Sequence, residues 1–231
     1  ALSACQEPTE PTAATENIER ASTRLLRWDE LAPKIQDRSH WLLLYVRKKE
    51  DYAQGHLPSA QQIWRKDIES KNYPYKGMRL EKDSLALLLG QYGATSETNI
   101  VVYDAKGNVD AARLWWLLQY YGHHKSYLLD GGLTAVDSSN YETKTAATTA
   151  QVFHFEEANR TELLANKEDV LAAIQDSNTI LIDCRTAEEF EGLVTKKGAF
   201  RGGHIPTAIP IEHSEAIAYE NKQLFRSITA L

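Results

Sequence analysis

Trp41-Leu42-Leu43-Leu44-Tyr45-Val46-Arg47 and Thr179-Ile180-Leu181-Ile182-Asp183-Cys184-Arg185 are the stretches whose reading decides the fold. Each is a short apolar run ending on an arginine, the pattern of a strand buried on both faces of a parallel sheet. Each leads into an acidic and aromatic helical turn, Glu50-Asp51-Tyr52 in the first case and Glu188-Glu189-Phe190 in the second. Then follow Gly55-His56-Leu57-Pro58-Ser59-Ala60 and Gly203-His204-Ile205-Pro206-Thr207-Ala208. The same order of strand, turn and Gly-His-x-Pro, met twice, marks an internal repeat whose second copy carries extra length around Gly192–Gly202.

Working outward, Asp83–Tyr92 is expected to be a helix with Leu85, Leu88 and Leu89 on one face, and Asn99–Tyr103 a buried strand. The loop Asp104–Val109 leads into a helix from about Asp110 to Tyr121. It is apolar nearly all round and therefore expected to lie deep, with Gly122 as its stop. Ser126–Leu129 is a further strand, closed by Asp130-Gly131-Gly132. This alternation predicts an α/β class with a parallel sheet covered by helices. Asp137–Ala150, rich in Ser, Thr, Asn and Ala, marks a connection. The second copy has a helix at about Lys167–Gln175 and reaches Leu231 before any counterpart of Asn99–Tyr103. The division expected is a tether at 1–21, a first domain at 22–137, a linker at 138–159 and half of a second domain at 160–231. A half sheet exposes unpaired backbone and an apolar face. The expectation is therefore one complete domain plus a truncated second copy, completed by further chain or by another polypeptide.

The 231 residues are 42% hydrophobic and 25% charged, an ordinary globular balance. A net charge of −6 gives no electrostatic case for nucleic acid or an anionic membrane surface. No stretch approaches the roughly 18 consecutive apolar residues of a membrane helix. Cys5 and Cys184 are the two cysteines; they lie far apart and offer neither a disulfide nor a metal-ligand pair. His123 and His124, adjacent at a helix end, point about 100° apart and do not share an ion. The opening Ala1-Leu2-Ser3-Ala4-Cys5 is similar to a bacterial lipobox, and the Pro/Thr/Glu/Ala stretch after it has nothing to bury. That similarity implies lipidation at Cys5 and a place on the periplasmic side of the cell envelope, with membrane contact only through the lipid.

Taken in order, Asp183-Cys184-Arg185, Gly203–Ala208, Val102-Tyr103-Asp104 and Leu129-Asp130-Gly131-Gly132 resemble the tandem-domain rhodaneses, the thiosulfate and mercaptopyruvate sulfurtransferases. The resemblance covers about Leu25 to Leu231. It implies a rhodanese-like central parallel sheet flanked by helices. It also implies transfer of sulfane sulfur from a small anionic donor to a thiol or cyanide acceptor through a cysteine persulfide, with no cofactor and no metal. In that family the cysteine follows the strand equivalent to Ile100–Tyr103. Backbone N–H groups and a helix N-terminus there stabilise an anionic sulfur.

Asp104 holds the nucleophile position in this chain. A carboxylate is a poor nucleophile for sulfane sulfur and repels an anionic donor, so the first domain is expected to be catalytically silent. The second repeat's equivalent loop would fall past Leu231, so the chain as given is expected to be inactive by itself. The resemblance assigns Arg185 to donor binding, because a fixed guanidinium suits a sulfonate-like group; the other reading is a strand-end arginine paired with Asp183 or Glu188. Cys184 matches Val46 of the first copy and is expected at a packing position. His56 and His204 recur in both repeats and are expected to bond nearby backbone. Trp115-Trp116 and Tyr120-Tyr121 are expected in the core. The alternative to an enzyme is a non-catalytic rhodanese-like binding or scaffold protein of the envelope. A phosphatase related to the same fold needs a Cys-x5-Arg loop, and Asp104–Ala111 has no cysteine.

Overall fold

Six apolar residues in succession, Trp41–Val46, are stably buried only when both faces of their strand are covered. The computed structural model, which describes residues 24–37 and 39–226, covers both. Cys5 and the whole of the expected tether, 1–21, lie outside the described residues. In chain order the first unit contains β1 (Leu25–Leu26), α1 (Trp28–Leu31), β2 (Trp41–Val46), α2 (Lys49–Tyr52) and β3 (Gln61–Ile63). It continues with α3 (Lys82–Gln91), β4 (Asn99–Tyr103), α4 (Val109–Tyr120) and β5 (Ser126–Leu129). The strands form one sheet in the order β1-β5-β4-β2-β3, parallel throughout.

Strand alternation divides the core into two layers. Leu42, Leu44, Val46, Ile100 and Val102 face α3 and α4, where Leu85, Leu89, Leu114 and Leu117 meet them. Leu43, Tyr45, Val101 and Tyr103 face the other way, onto Leu31, Ile35, Tyr52 and Leu57. β2 and β4 lie at the centre, in register Leu42 with Ile100 and Leu44 with Val102. The central α/β sheet with helices on both faces is thus the architecture the strand and helix periods predict. α3, β4, α4 and β5 each fall within a residue of the bounds read from sequence.

The expected linker is not free. Gln151 N donates to the Gly90 carbonyl, Gln61 Nε2 to the Ala146 carbonyl, and Phe153 is buried against the helical layer. At Gly90 a Cβ would stand 2.5 Å from the Gln151 carbonyl oxygen, so only glycine lets the strap lie this close.

The second unit contains α5 (Lys167–Ala173), β6 (Ile182–Asp183), α6 (Ala187–Glu191) and β7 (Ile209–Pro210), followed by a hairpin of β8 (Ile217–Ala218) and β9 (Leu224–Phe225). β6 pairs with β7 in the register by which β2 pairs with β3, Ile182 with Ile209 and Leu44 with Gln61. Ser59 and Thr207 share a left-handed backbone after their prolines, with φ of 64° and 69°. Two expectations are corrected here. The strand expected over Thr179–Arg185 is reduced to Ile182–Asp183, and Cys184 is exposed although its counterpart Val46 is buried. One physical reason covers both. β2 is held between β3 and β4 beneath helices, whereas β6 among the described residues pairs only with β7. Among the described residues no strand pairs with its other edge, and Ile180 and Ile182 are exposed as well.

Candidate functional site

Parallel α/β sheets present ligand sites at the carboxyl ends of their central strands. Here that place is the turn from Tyr103, the end of β4, to Val109, the start of α4. Gly107 and Asn108 adopt positive φ, 67° and 63°, and curl the loop so that its N–H groups converge. They converge on Asp104. Its Oδ1 accepts from the N–H of Lys106 (2.7 Å) and Asn108 (2.9 Å), and its Oδ2 from Asp110 (2.9 Å) and Ala111 (3.1 Å).

Asp104 is 1% exposed and makes no ion pair among the described residues. Four N–H groups and the first turn of α4 therefore do for this carboxylate what water does at a surface. The loop is tied down on the far side by Asn108 Nδ2, which donates to the Leu129 carbonyl (2.8 Å), and by Leu133 N, which donates to the Asp104 carbonyl (2.8 Å). Gly132 is indispensable to that approach, since a Cβ would stand 2.3 Å from the Asp104 carbonyl oxygen. The Val102-Tyr103-Asp104 and Asp130-Gly131-Gly132 segments thus form one structure, an anion cradle filled by the chain's own anion. It holds no thiol.

The second group of interest lies at the end of β6. Arg185 Nε donates to both oxygens of Asp183 (2.9 and 3.1 Å), and its Nη2 donates to Asp183 Oδ2 (2.6 Å) and to the Gly203 carbonyl (2.9 Å). The strand-end partner of Arg185 is Asp183; no bond to Glu188 is present among the described residues. This pairing holds the Asp183 carboxyl below the ordinary aspartate range and pushes the Arg185 guanidinium up, in both cases chiefly through their mutual hydrogen bonds. It engages one edge of the guanidinium and leaves Nη1 without a bond among the described residues. Arg47, in the matching place of the first unit, turns instead to Asp51 (3.1 Å). With Cys184, Arg201 and His204, Arg185 borders an open groove of about 830 Å³ beside β6. Among the described residues no hydrogen bond or ion pair joins Arg185 to the Asp104 loop.

The recurrent histidines do what the repeat suggests. His56 stacks on Tyr52 (centroids 4.0 Å apart) and bonds the Leu57 carbonyl; His204 stacks on Phe190 (3.8 Å) and bonds the Phe190 carbonyl. His123 is buried, which lowers its pKa, and bonds the Thr98 carbonyl, whereas His124 pairs with Glu157 at 2.6 Å. Tyr120 and Tyr121 are core residues, while Trp115 and Trp116 are half-buried, their indole N–H groups on the Ser126 and Leu163 carbonyls. Among the described residues no three His, Cys, Asp or Glu side chains group so as to hold a metal ion, and no helix is long and apolar enough to cross a membrane. Sequence reasoning missed Gln223, whose Oε1 accepts from the Gly107 N–H (2.7 Å) across 116 residues of chain. No local pattern signals such a contact.

Comparison with known proteins bears on the fold and the family. The family model of the rhodanese-like domain matches residues 28–139 and 166–229. The chain is 31% identical over 188 residues to a thiosulfate sulfurtransferase of Corynebacterium glutamicum, covering 76% of this chain and 62% of that protein. It is 26% identical over 169 residues to the 3-mercaptopyruvate sulfurtransferase of Escherichia coli K12, covering 73% and 60%. Its fold is similar to the crystal structure of SseA from Escherichia coli, with a TM-score of 0.75, 24% identity, and coverage of 90% of this chain and 80% of that one. The chain spans about three fifths of the length of the curated relatives it matches.

Two outcomes are expected from this geometry. Asp104→Ala leaves four loop N–H groups without an acceptor; at about 1–3 kcal/mol for each buried unsatisfied group, urea unfolding should report a loss of at least ~3 kcal/mol. A loss under ~1 kcal/mol would contradict the bonding described, since one such group alone costs that much. Asp183 should titrate by NMR below the ordinary value near 3.9, and move up toward it in Arg185→Gln. Because its folded pKa is the lower one, its stabilising contribution is present above about pH 4 and lost as pH falls through the folded value. An unshifted Asp183 would show that the pair does not form in solution.

Proposed function

The chain belongs to the rhodanese-like domain family, and from that premise we propose that it serves sulfane-sulfur transfer from a small anionic donor to a thiol or cyanide acceptor. The observation that carries the proposal is the convergence of N–H groups at the carboxyl end of β4. Around a thiol in place of Asp104, such a cradle stabilises a thiolate, and then the persulfide it becomes. With thiosulfate as donor, the thiolate attacks the outer sulfur, the S–S bond breaks and sulfite leaves with the bonding pair. The acceptor then takes the outer sulfur, which returns the thiolate; with cyanide the product is thiocyanate.

The first unit does none of this chemistry, because its cradle holds a carboxylate. The sulfur-carrying cysteine is assigned to the second unit's own counterpart of the β4–α4 loop, which is not among the 231 residues. Arg185 offers its free Nη1 edge to the donor's anionic group, its other edge being fixed by Asp183 and Gly203. No cofactor or metal is called for, and nucleic acid is not a partner. The lipobox-like opening supports lipidation of Cys5 and a periplasmic location. One observation favours a second reading, a non-catalytic scaffold: the cradle of the first unit is filled and closed.

Thiosulfate:cyanide transfer measured with iodoacetamide controls separates these readings. The 231-residue chain should show no turnover above its Cys184→Ser variant. A polypeptide with the complete second unit should turn over, lose activity on alkylation, and in Arg185→Ala show a donor KM raised about ten-fold with kcat largely kept, the mark of lost ground-state binding. Turnover by the 231-residue chain that vanishes in Cys184→Ser would overturn this assignment. An inactive longer polypeptide would establish the scaffold reading.

A further inference from the structure

The segments that converge at Asp104 also grip the β8–β9 hairpin of the second unit. Gly107 N donates to Gln223 Oε1 (2.7 Å), Phe225 N to Asp130 Oδ1 (2.8 Å), and Thr134 Oγ1 to the Lys222 carbonyl (3.1 Å). The fit is close. A Cβ at Gly107 would stand 3.2 Å from the Tyr219 hydroxyl, and one at Gly131 would stand 2.7 Å from the Lys222 carbonyl oxygen. Ile217 is buried, and Phe225 packs on the helical layer of the first unit's core. The hairpin turn places Lys222 and Gln223 at φ of 50° and 57°, a conformation non-glycine residues hold only when their surroundings impose it. At its near end the same segment is tied to β6, since His213 N donates to the Cys184 carbonyl (3.2 Å). A continuous strap thus runs from the end of β6 to the cradle.

Asp104 forms no hydrogen bond to the hairpin, yet it decides what the hairpin meets. Its two oxygens draw the N–H groups of residues 106, 108, 110 and 111 inward. The Gly107 N–H goes to Gln223 instead. A neutral amide oxygen suits that place, whereas a carboxylate there would add a second negative charge beside the one in the cradle.

We propose that the cradle of the first unit is a docking socket for the second unit's hairpin, with Asp104 as the positioning residue that presents the Gly107 N–H to Gln223. The loop has a structural task, that of fixing the β6 end against the first unit. This conclusion goes beyond the sulfurtransferase reading and does not depend on it.

Hydrogen exchange on the whole 231-residue chain tests the proposal. Gln223→Ala should speed exchange across 217–225 about five-fold, the worth of one hydrogen bond, while β4 keeps its protection. Gln223→Glu should loosen the hairpin further at neutral pH, and the excess over Gln223→Ala should vanish once the introduced carboxyl is protonated, below about pH 4. Asp104→Asn should speed exchange in the hairpin as well as in 104–111. Hairpin exchange unchanged in both Gln223 variants would overturn the socket. If Asp104→Asn loosens 104–111 alone, Asp104 is not the positioning residue. Should that variant unfold throughout, the Gln223 pair decides.

Discussion

Four backbone N–H groups closing on the carboxylate of Asp104 are the constraint on which the rest of the molecule's logic depends. An ion this deeply buried is tolerable only when its lone pairs are met, and the turn after β4 meets them with main chain alone. The requirement propagates. It fixes positive φ at Gly107 and Asn108, brings the Asp104 carbonyl against Gly132, and sets the start of α4 over the central strand. The helix itself, apolar on the face that meets β4 and β5, is held by packing. Its first turn is held by charge.

The two units use the same devices to different ends. β2 with β3 and β6 with β7 share one register, both units stack a Gly-His histidine on an aromatic ring, and both turn through a left-handed residue after proline. They part at the strand-end arginine. Arg47 leans on Asp51 of the following helix, whereas Arg185 is clamped by Asp183 of its own strand and, among the described residues, makes no bond through Nη1. Such a clamp leaves the guanidinium little rotamer freedom to lose, the condition that the proposed donor binding would use.

Most of the first unit was legible in the sequence because its elements are long enough for period to speak. Asn99–Tyr103 is a strand and about Asp110 to Tyr121 a helix by pattern alone, and the Asp-Gly-Gly at 130–132 reads as a turn. What could not be read is short or distant. β1 is two residues, and its pairing with β5 joins parts of the chain about a hundred residues apart. The β8–β9 hairpin turns on Lys222 and Gln223 without the Asn-Gly or Asp-Gly pair that would announce it. Cys184 was misread because its match to Val46 assumes a neighbouring strand, and burial belongs to the sheet, not to the residue. At the site, Asp104 was visible by its position after a buried strand. The number of N–H groups it gathers, and the glutamine that takes the Gly107 N–H, are properties of the folded loop.

The central claim, that the turn after β4 is built to hold negative charge, can be measured with a thiol in place of the acid. Asp104→Cys, made in a Cys5→Ser, Cys184→Ser background, carries one thiol whose ionisation is followed by thiolate absorbance, a readout that needs no reagent to reach the site. Burial alone raises a thiol above its ordinary value near 8.5, and a converging set of N–H groups at a helix start lowers it. In such a cradle the thiolate should persist to below about pH 7, well under the ordinary thiol value. Thiolate appearing only above about 8.5 would mean that the cradle does not favour an anion, and would contradict that claim.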